Sequence, residues 1–206
     1  MKAVFTNQDT MVEAVFPMEG KALPRDYAQA LKQAVGEQIP WVHTDVGVGI
    51  HPLKLVAGPE RVALLSGRTR LILRVNANRL EALESLVGIK LDVAGSTLLL
   101  GAVHLRALQA HATLYAYRVA ASNADETAFM RAIEAELASL AIAGERVCGK
   151  RQSMVVDGVE MTTFSMMLHG LVPEQSLRLQ QHGLGPHRLL GCGLFVPHKS
   201  AAAVGV

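Results

Sequence analysis

Tyr27, His43, His51 and Lys54 are the early side chains whose types could move protons or hold charge in a reaction. An imidazole can act as general base or general acid because its pKa lies near neutrality. A lysine can stabilise a developing negative charge, and a tyrosine can donate a hydrogen bond that orients a substrate. His43 and His51 do not stand at the i, i+4 spacing of a helical metal pair, and few carboxylates surround them, so no metal and no cofactor are expected. Each residue also has a plainer role open to it. A histidine in a glycine-containing loop serves equally as a surface or capping residue, Tyr27 falls on the apolar side of a helix, and Lys54 suits a solvated strand.

A second stretch, SLRLQQHGLGPHRLLGCGLFVPHK at 176–199, carries Gly183, Gly185, Gly191 and Gly193 among basic residues, and no Asp or Glu follows Glu174. Glycines let a backbone turn sharply and approach a bulky partner, and successive N–H groups in such a loop can cradle an anion. A phosphate-bearing partner fits this composition. A helix C-cap followed by a tight turn fits Gly183 and Gly185 as well. The other cations placed for phosphate are Arg68, Arg70 and Arg74, the hairpin pair Lys150 and Arg151, and Arg178, His187 and Arg188 near the glycine loop. Gly185, Gly191 and Gly193 would supply backbone contacts.

The elements that must position these residues follow from periodicity. MVEAVF reads as a strand. PRDYAQALKQAVGEQIP reads as a helix with Pro24 in its first turn, Tyr27, Leu31 and Ala34 or Val35 on one side, and a stop at Pro40. His43 follows in a loop and His51 opens the next strand. Ser66-Gly67 marks a turn. In TRLILRVN, Leu71 and Leu73 face one way and Arg70 and Arg74 the other. NRLEALESLVG predicts a second helix with a capping box from Asn78 to Glu81 and a Leu80, Leu83, Val87 stripe. KLDVAGSTLLLGAVHL closes the first half as a hairpin-like segment. The order then repeats: a strand LYAYRVA, a helix capped by Asp125 with Phe129, Ile133, Leu137 and Leu140 buried, a hairpin turning at Asp157-Gly158, a short helix and a last strand. This predicts an α+β chain of two tandem ferredoxin-like (β-α-β-β-α-β, RRM-like) halves, 1–110 with the histidines and 111–206 with the glycine loop. The tail at 200–206 is expected to be loose.

Composition narrows the class. Half of the 206 residues are apolar and 18% are charged, ample for a packed core. The net charge of +2 requires any nucleic-acid surface to come from local clustering, and 4% aromatic content argues against extensive base stacking. Cys148 and Cys192 are far apart, with no Cys-x-x-Cys, so two buried free thiols are expected. No apolar run reaches membrane-spanning length and the N-terminus lacks a signal-peptide core, so a cytoplasmic location without membrane partners is expected.

GLGPHRLLGCGLFVP and PWVHTDVGVGIHPLK, in this order, resemble the C-terminal glycine loop and the early histidine segment of CRISPR repeat-processing endoribonucleases. These are the Cas-six type of the repeat-associated RNA-binding superfamily, in a branch found in some type I systems. The resemblance spans roughly residues 10–198. It implies two ferredoxin-like halves, CRISPR repeat RNA as partner, and metal-independent cleavage of precursor RNA by attack of a 2′-OH, leaving a 2′,3′-cyclic phosphate. It also implies retention of the product beside other subunits of an interference complex. The family's catalytic histidine commonly follows the first helix, where His43 stands, often with a tyrosine or lysine nearby. With His51 eight residues on, two histidines compete for the one role, and His43 is favoured over His51. A subunit that holds repeat or guide RNA without cutting it, and a duplicated ferredoxin-like protein unrelated to RNA, remain the alternatives.

Overall fold

The computed structural model describes residues 10–198, so the tail at 200–206 lies outside the described residues. The chain divides between Ala107 and Leu108 into two units. The first runs β1 (Met11–Glu19), β2 (Ala22–Pro24), α1 (Ala28–Gln38), a 3-10 turn (Pro40–His43), β3 (Gly49–Ile50), β4 (Val56–Ala57) and β5 (Val62–Leu64). It continues with β6 (Arg70–Asn76), two 3-10 segments (Ala77–Arg79 and Glu81–Leu86), β7 (Lys90–Val93), β8 (Ser96–Leu100) and β9 (His104–Ala107).

β3, β6, β1 and β9 lie side by side in that order, each pair antiparallel. Counted as the four strands of a β-α-β-β-α-β unit, they read second, third, first, fourth, which is the ferredoxin-like order. Period-two alternation sends Val12, Ala14 and Phe16 of β1 and Leu71, Leu73 and Val75 of β6 to one face, where all are fully buried. The β7–β8 hairpin joins the end of β1 through Met18 and Leu100. Its Ala94-Gly95 turn has positive φ at both residues, the geometry that matches the twist of a two-residue hairpin. β2, β5 and β4 form a separate three-stranded sheet.

Two local expectations are corrected. Pro24 ends β2 rather than starting the helix: Ala22–Pro24 pairs with β5, and α1 begins four residues later, after Tyr27. The second helix is 3-10, capped by Asn76, whose side chain accepts from the Asn78 amide. Leucines at 80, 83 and 86 explain the choice, because a helix of three residues per turn stacks them in one row. Leu83 and Leu86 are fully buried, whereas Val87 is exposed.

The second unit runs β10 (Leu114–Ala120), α2 (Glu126–Ser139), β11 (Glu145–Val156), β12 (Val159–His169), α3 (Pro173–His182), a 3-10 turn (Arg188–Leu190) and β13 (Val196–Pro197). Its sheet order, β11-β12-β10-β13, is again second, third, first, fourth and antiparallel. Asp125 caps α2 by accepting from the Thr127 amide. Phe129, Ile133 and Leu137 form the buried stripe of α2, and Phe129 stacks on Phe164 of β12 at 4.7 Å between ring centres. Asp157 and Gly158, both at positive φ, turn the β11–β12 hairpin. Opposite Ser165 of β12, both neighbours carry one extra residue, in β10 between Ala116 and Val119 and in β11 between Cys148 and Arg151. Cys148 and Cys192 are free; Cys192 is buried and Cys148 only partly so. Among the described residues no helix is long and apolar enough to cross a membrane.

Phe164, 2% exposed, has no polar atom and one well-defined stacking partner. Phe164→Ala is expected to lower the unfolding free energy of the second unit by about 3–5 kcal/mol, measured by denaturant titration.

Candidate active site and nucleic-acid interface

α1 ends because Pro40 has no N–H to continue it, and the chain folds at once into the Pro40–His43 turn. Val42 is the buried foot of this turn. The Thr44 and Asp45 amides both donate to the Trp41 carbonyl at 3.1 Å. Asp45 then accepts from the Gly47 amide at 3.2 Å and from Arg79 Nε at 3.1 Å. The Arg79 guanidinium lies 5.0 Å from the centre of the Trp41 ring, a cation–π distance. A stacked ring and a bridged carboxylate therefore pin the turn on both sides of His43, which is itself exposed.

His51 sits differently. It is 6% exposed, its amide donates to the Ile72 carbonyl at 2.9 Å, and its Nε2 lies 3.2 Å from Oε1 of Glu13. Strand register builds this cluster: Glu13 pairs with Arg74 on one side and Arg106 on the other. Arg74 donates to Oε1 of Glu13 at 2.6 Å, and Arg106 donates through Nε to Oε2 at 2.7 Å and also through Nη2. Burial works against ionisation of Glu13, but His51 and Arg74 outweigh it and hold the carboxyl well below the usual carboxylate range. Burial, aided by Arg74 and Arg106, pushes the His51 imidazole down to about 4 against the pull of Glu13. His51 is thus a neutral, enclosed imidazole at pH 7.

Tyr27 and Lys54 meet the same segment of chain. The Tyr27 hydroxyl accepts from the Leu53 amide at 2.7 Å. The Thr69 hydroxyl donates to the Lys54 carbonyl at 3.0 Å. Residues 51–54 are consequently fixed at His51, Leu53 and Lys54 in turn, while the Lys54 side chain stays exposed.

The expected phosphate-binding residues separate into two groups. Arg68, Lys150, Arg151 and His187 are exposed. The other arginines are engaged within the fold. Arg74, expected to face outward, is fully buried on Glu13. Arg70 donates to the carbonyls of Gly67 and Thr69. Arg178 donates to the Leu140 carbonyl at the end of α2 at 2.9 Å. Arg188 closes α3 by donating to the carbonyls of His182 and, at 3.0 Å, of Gln181. A cation at a helix C-terminus satisfies carbonyls that have no partner in the helix.

The glycine loop directs its amides inward in the same way. Gly183 donates to Leu179, Leu184 to Gly193, Gly191 to Arg188 and Gly193 to Arg118. The Gly185 amide donates to the Glu136 carboxylate, at 2.9 and 3.1 Å. At Gly193, φ is +67° and a Cβ would stand 2.0 Å from the Leu184 carbonyl oxygen, so glycine is required there by close backbone approach. An anion at the Gly185 amide would have to displace a carboxylate that already occupies it. The sequence did not single out Glu13, Arg106 or Glu136. For Glu13 the available signal was one acid in the otherwise apolar MVEAVF run at 11–16.

Comparison with known proteins adds four findings. The Cas6 CRISPR family model matches residues 12–200. A CRISPR-associated endonuclease Cas6 from Myxococcus xanthus (strain DK1622) is 35% identical over 199 residues, covering 96% of this chain and 86% of that protein. Among solved structures, a CRISPR associated protein Cas6 has a TM-score of 0.67 at 10% identity, covering 92% of this chain and 99% of its own. An RAMP protein binding different RNA substrates has a TM-score of 0.58 at 13% identity, covering 90% and 98%. At such identities these two structures share the fold.

The buried cluster makes stability pH-dependent. The unfolded chain protonates His51 near its ordinary 6.5, whereas the folded chain does so only near 4. Between these values the unfolded state binds the extra proton, so stability falls as pH drops through the window and is highest above it. His51→Gln is expected to remove roughly 2–4 kcal/mol of that decline, read from denaturant unfolding at pH 7 and pH 4. Glu13→Gln strands the Arg74 charge and is expected to cost about 3–5 kcal/mol at pH 7, measured the same way.

Proposed function

The chain belongs to the Cas6 family of CRISPR-associated proteins, and from that premise we propose that it is an endoribonuclease that cuts CRISPR precursor RNA within its repeats. The observation that carries the proposal is the 35% identity, across 96% of this chain, to the Myxococcus xanthus endonuclease. His43 is the residue we assign to proton transfer, because it is exposed on a pinned turn whereas His51 is enclosed by Glu13, Arg74 and Arg106. In this mechanism the 2′-OH of the nucleotide before the cut attacks the adjacent phosphorus and gives its proton to the His43 imidazole, the P–O5′ bond breaks, and the leaving oxygen takes a proton back from the imidazolium. The products are a 2′,3′-cyclic phosphate and a 5′-OH. Lys54 supplies positive charge to the crowded phosphate, and Tyr27 holds the backbone that carries it. The bond changes balance with acid, base and cation alone, so the proposal is metal-independent.

Arg68, Lys150, Arg151 and His187 supply phosphate contacts, in keeping with recognition of RNA largely through shape and backbone. Retention of the cut repeat within an interference complex belongs to the same proposal. The enclosure of His51, which leaves His43 as the exposed member of the pair, keeps one rival in view: a subunit that holds the repeat without cutting it.

The test is single-turnover cleavage of the cognate repeat RNA in EDTA by the full chain, with binding measured in parallel. Wild type should make one defined cut. His43→Ala should lose roughly 10²–10⁴-fold in rate with affinity changed less than about twofold, and Lys54→Ala should lose rate to a smaller degree. Tight binding by wild type without cleavage would select the RNA-holding subunit. Full activity in His43→Ala would move the chemistry to other residues.

A further inference from the structure

α1 has one residue that its own stability argues against. Gly36 sits in the last turns of AQALKQAVGEQ, among residues that favour helix, and glycine at such a position costs roughly 0.5–1 kcal/mol relative to alanine. Its φ is not positive, so the backbone would accept alanine without strain. The reason for glycine lies in space. A Cβ at Gly36 would stand 2.0 Å from Nε2, 2.7 Å from Cε1 and 3.0 Å from Cδ2 of His43. All three nearest atoms belong to that one imidazole. Its outer end rests on bare helix backbone, in a notch the width of a methyl group.

We infer that Gly36 is a positioning residue for His43: the notch in α1 seats the imidazole and sets its orientation for proton transfer. This inference rests on the assignment of His43 as the reactive histidine. Three observations join in it. Pro40 folds the chain back so that a residue seven positions downstream reaches the helix flank. The Trp41–Arg79 stack and the Asp45–Arg79 bridge hold the turn's backbone, so the ring cannot regain the notch by moving the turn. The His43 side chain is exposed, so it can swing away when the notch is filled, and the fold does not depend on the contact. A side chain on a fixed backbone stem with its tip against a rigid surface loses rotamer freedom before substrate arrives, which is the preorganisation that proton transfer requires.

The test is Gly36→Ala in the full chain, alone and combined with His43→Ala. Gly36→Ala should fold with a Tm equal to or above wild type and bind repeat RNA with unchanged affinity, while its single-turnover cleavage rate falls roughly 10- to 100-fold. The imidazole proton resonances of His43 should shift. In the His43→Ala background, Gly36→Ala should cause no further loss of rate and should raise Tm by roughly 2–4 °C, because the methyl then fills empty space and favours the helix. Cleavage by Gly36→Ala within twofold of wild type, or faster, overturns the inference while leaving His43 as the reactive residue. An equal further loss in the His43→Ala background overturns it by showing that Gly36 acts on something other than the ring. Wild-type cleavage by His43→Ala alone removes the underlying assignment, and the inference with it.

Discussion

The carboxylate of Glu13 is the constraint around which the first unit is arranged. It sits on the central strand of the sheet and is held by a guanidinium from each neighbouring strand, Arg74 on β6 and Arg106 on β9. Taking charges out of water costs several kcal/mol per ion, and the cost is repaid only where the geometry leaves each charge closely paired. Arg74, fully buried, has no tolerable alternative. Sliding β6 by one residue would turn Arg74 into the apolar face and Leu73 or Val75 out of it. The ion cluster and the leucine face thus specify the same register from opposite sides of one sheet. His51 completes the row, so the start of the 51–54 segment is fixed by the same carboxylate.

The two candidate histidines are distinguished by this arrangement. His51 is held by the sheet's ion pairs and stays neutral; His43 is held by the shape of a helix and a pinned turn. Eight residues apart in sequence, they belong to different physical regimes, one electrostatic and enclosed, the other steric and open to solvent.

Alternation in TRLILRVN correctly separates Leu71 and Leu73 from Arg70 and Arg74, but alternation says only that a strand has two faces. Whether the second face is covered depends on a partner 61 residues away, Glu13, the one acid in the run MVEAVF. The element order was legible because each element carries local punctuation: Pro40, Asp125 and Asp157-Gly158 act within a few residues of themselves. The type of the second helical segment was not, because leucines at 80, 83 and 86 satisfy a period of three while their neighbours suit a longer one. The glycine loop shows the limit of composition. Glycine marks where the backbone comes close to something, and at Gly183 and Gly193 that something is the loop itself.

The paired bulges opposite Ser165 have a mechanical meaning. From Leu168 to Thr163 β12 has partners on both sides, and Thr163, Phe164, Ser165, Met166 and Leu168 are buried; past Ala120, β10 ends, and β11 and β12 continue with only each other. Extra residues on both flanks sharpen twist at the same height. The outer hairpin is therefore a cantilever, clamped at the rows from Ser165 to Thr163 and sustained beyond Thr163 by two-stranded pairing that is marginal by itself. Val155 and Val159 near its tip lie in solvent. Lys150 and Arg151 stand at the clamp rather than at the tip, so the arm can flex with little displacement of these two charges. A lever with its cations at the fulcrum keeps their spacing to the unit's core nearly constant while its far end adapts.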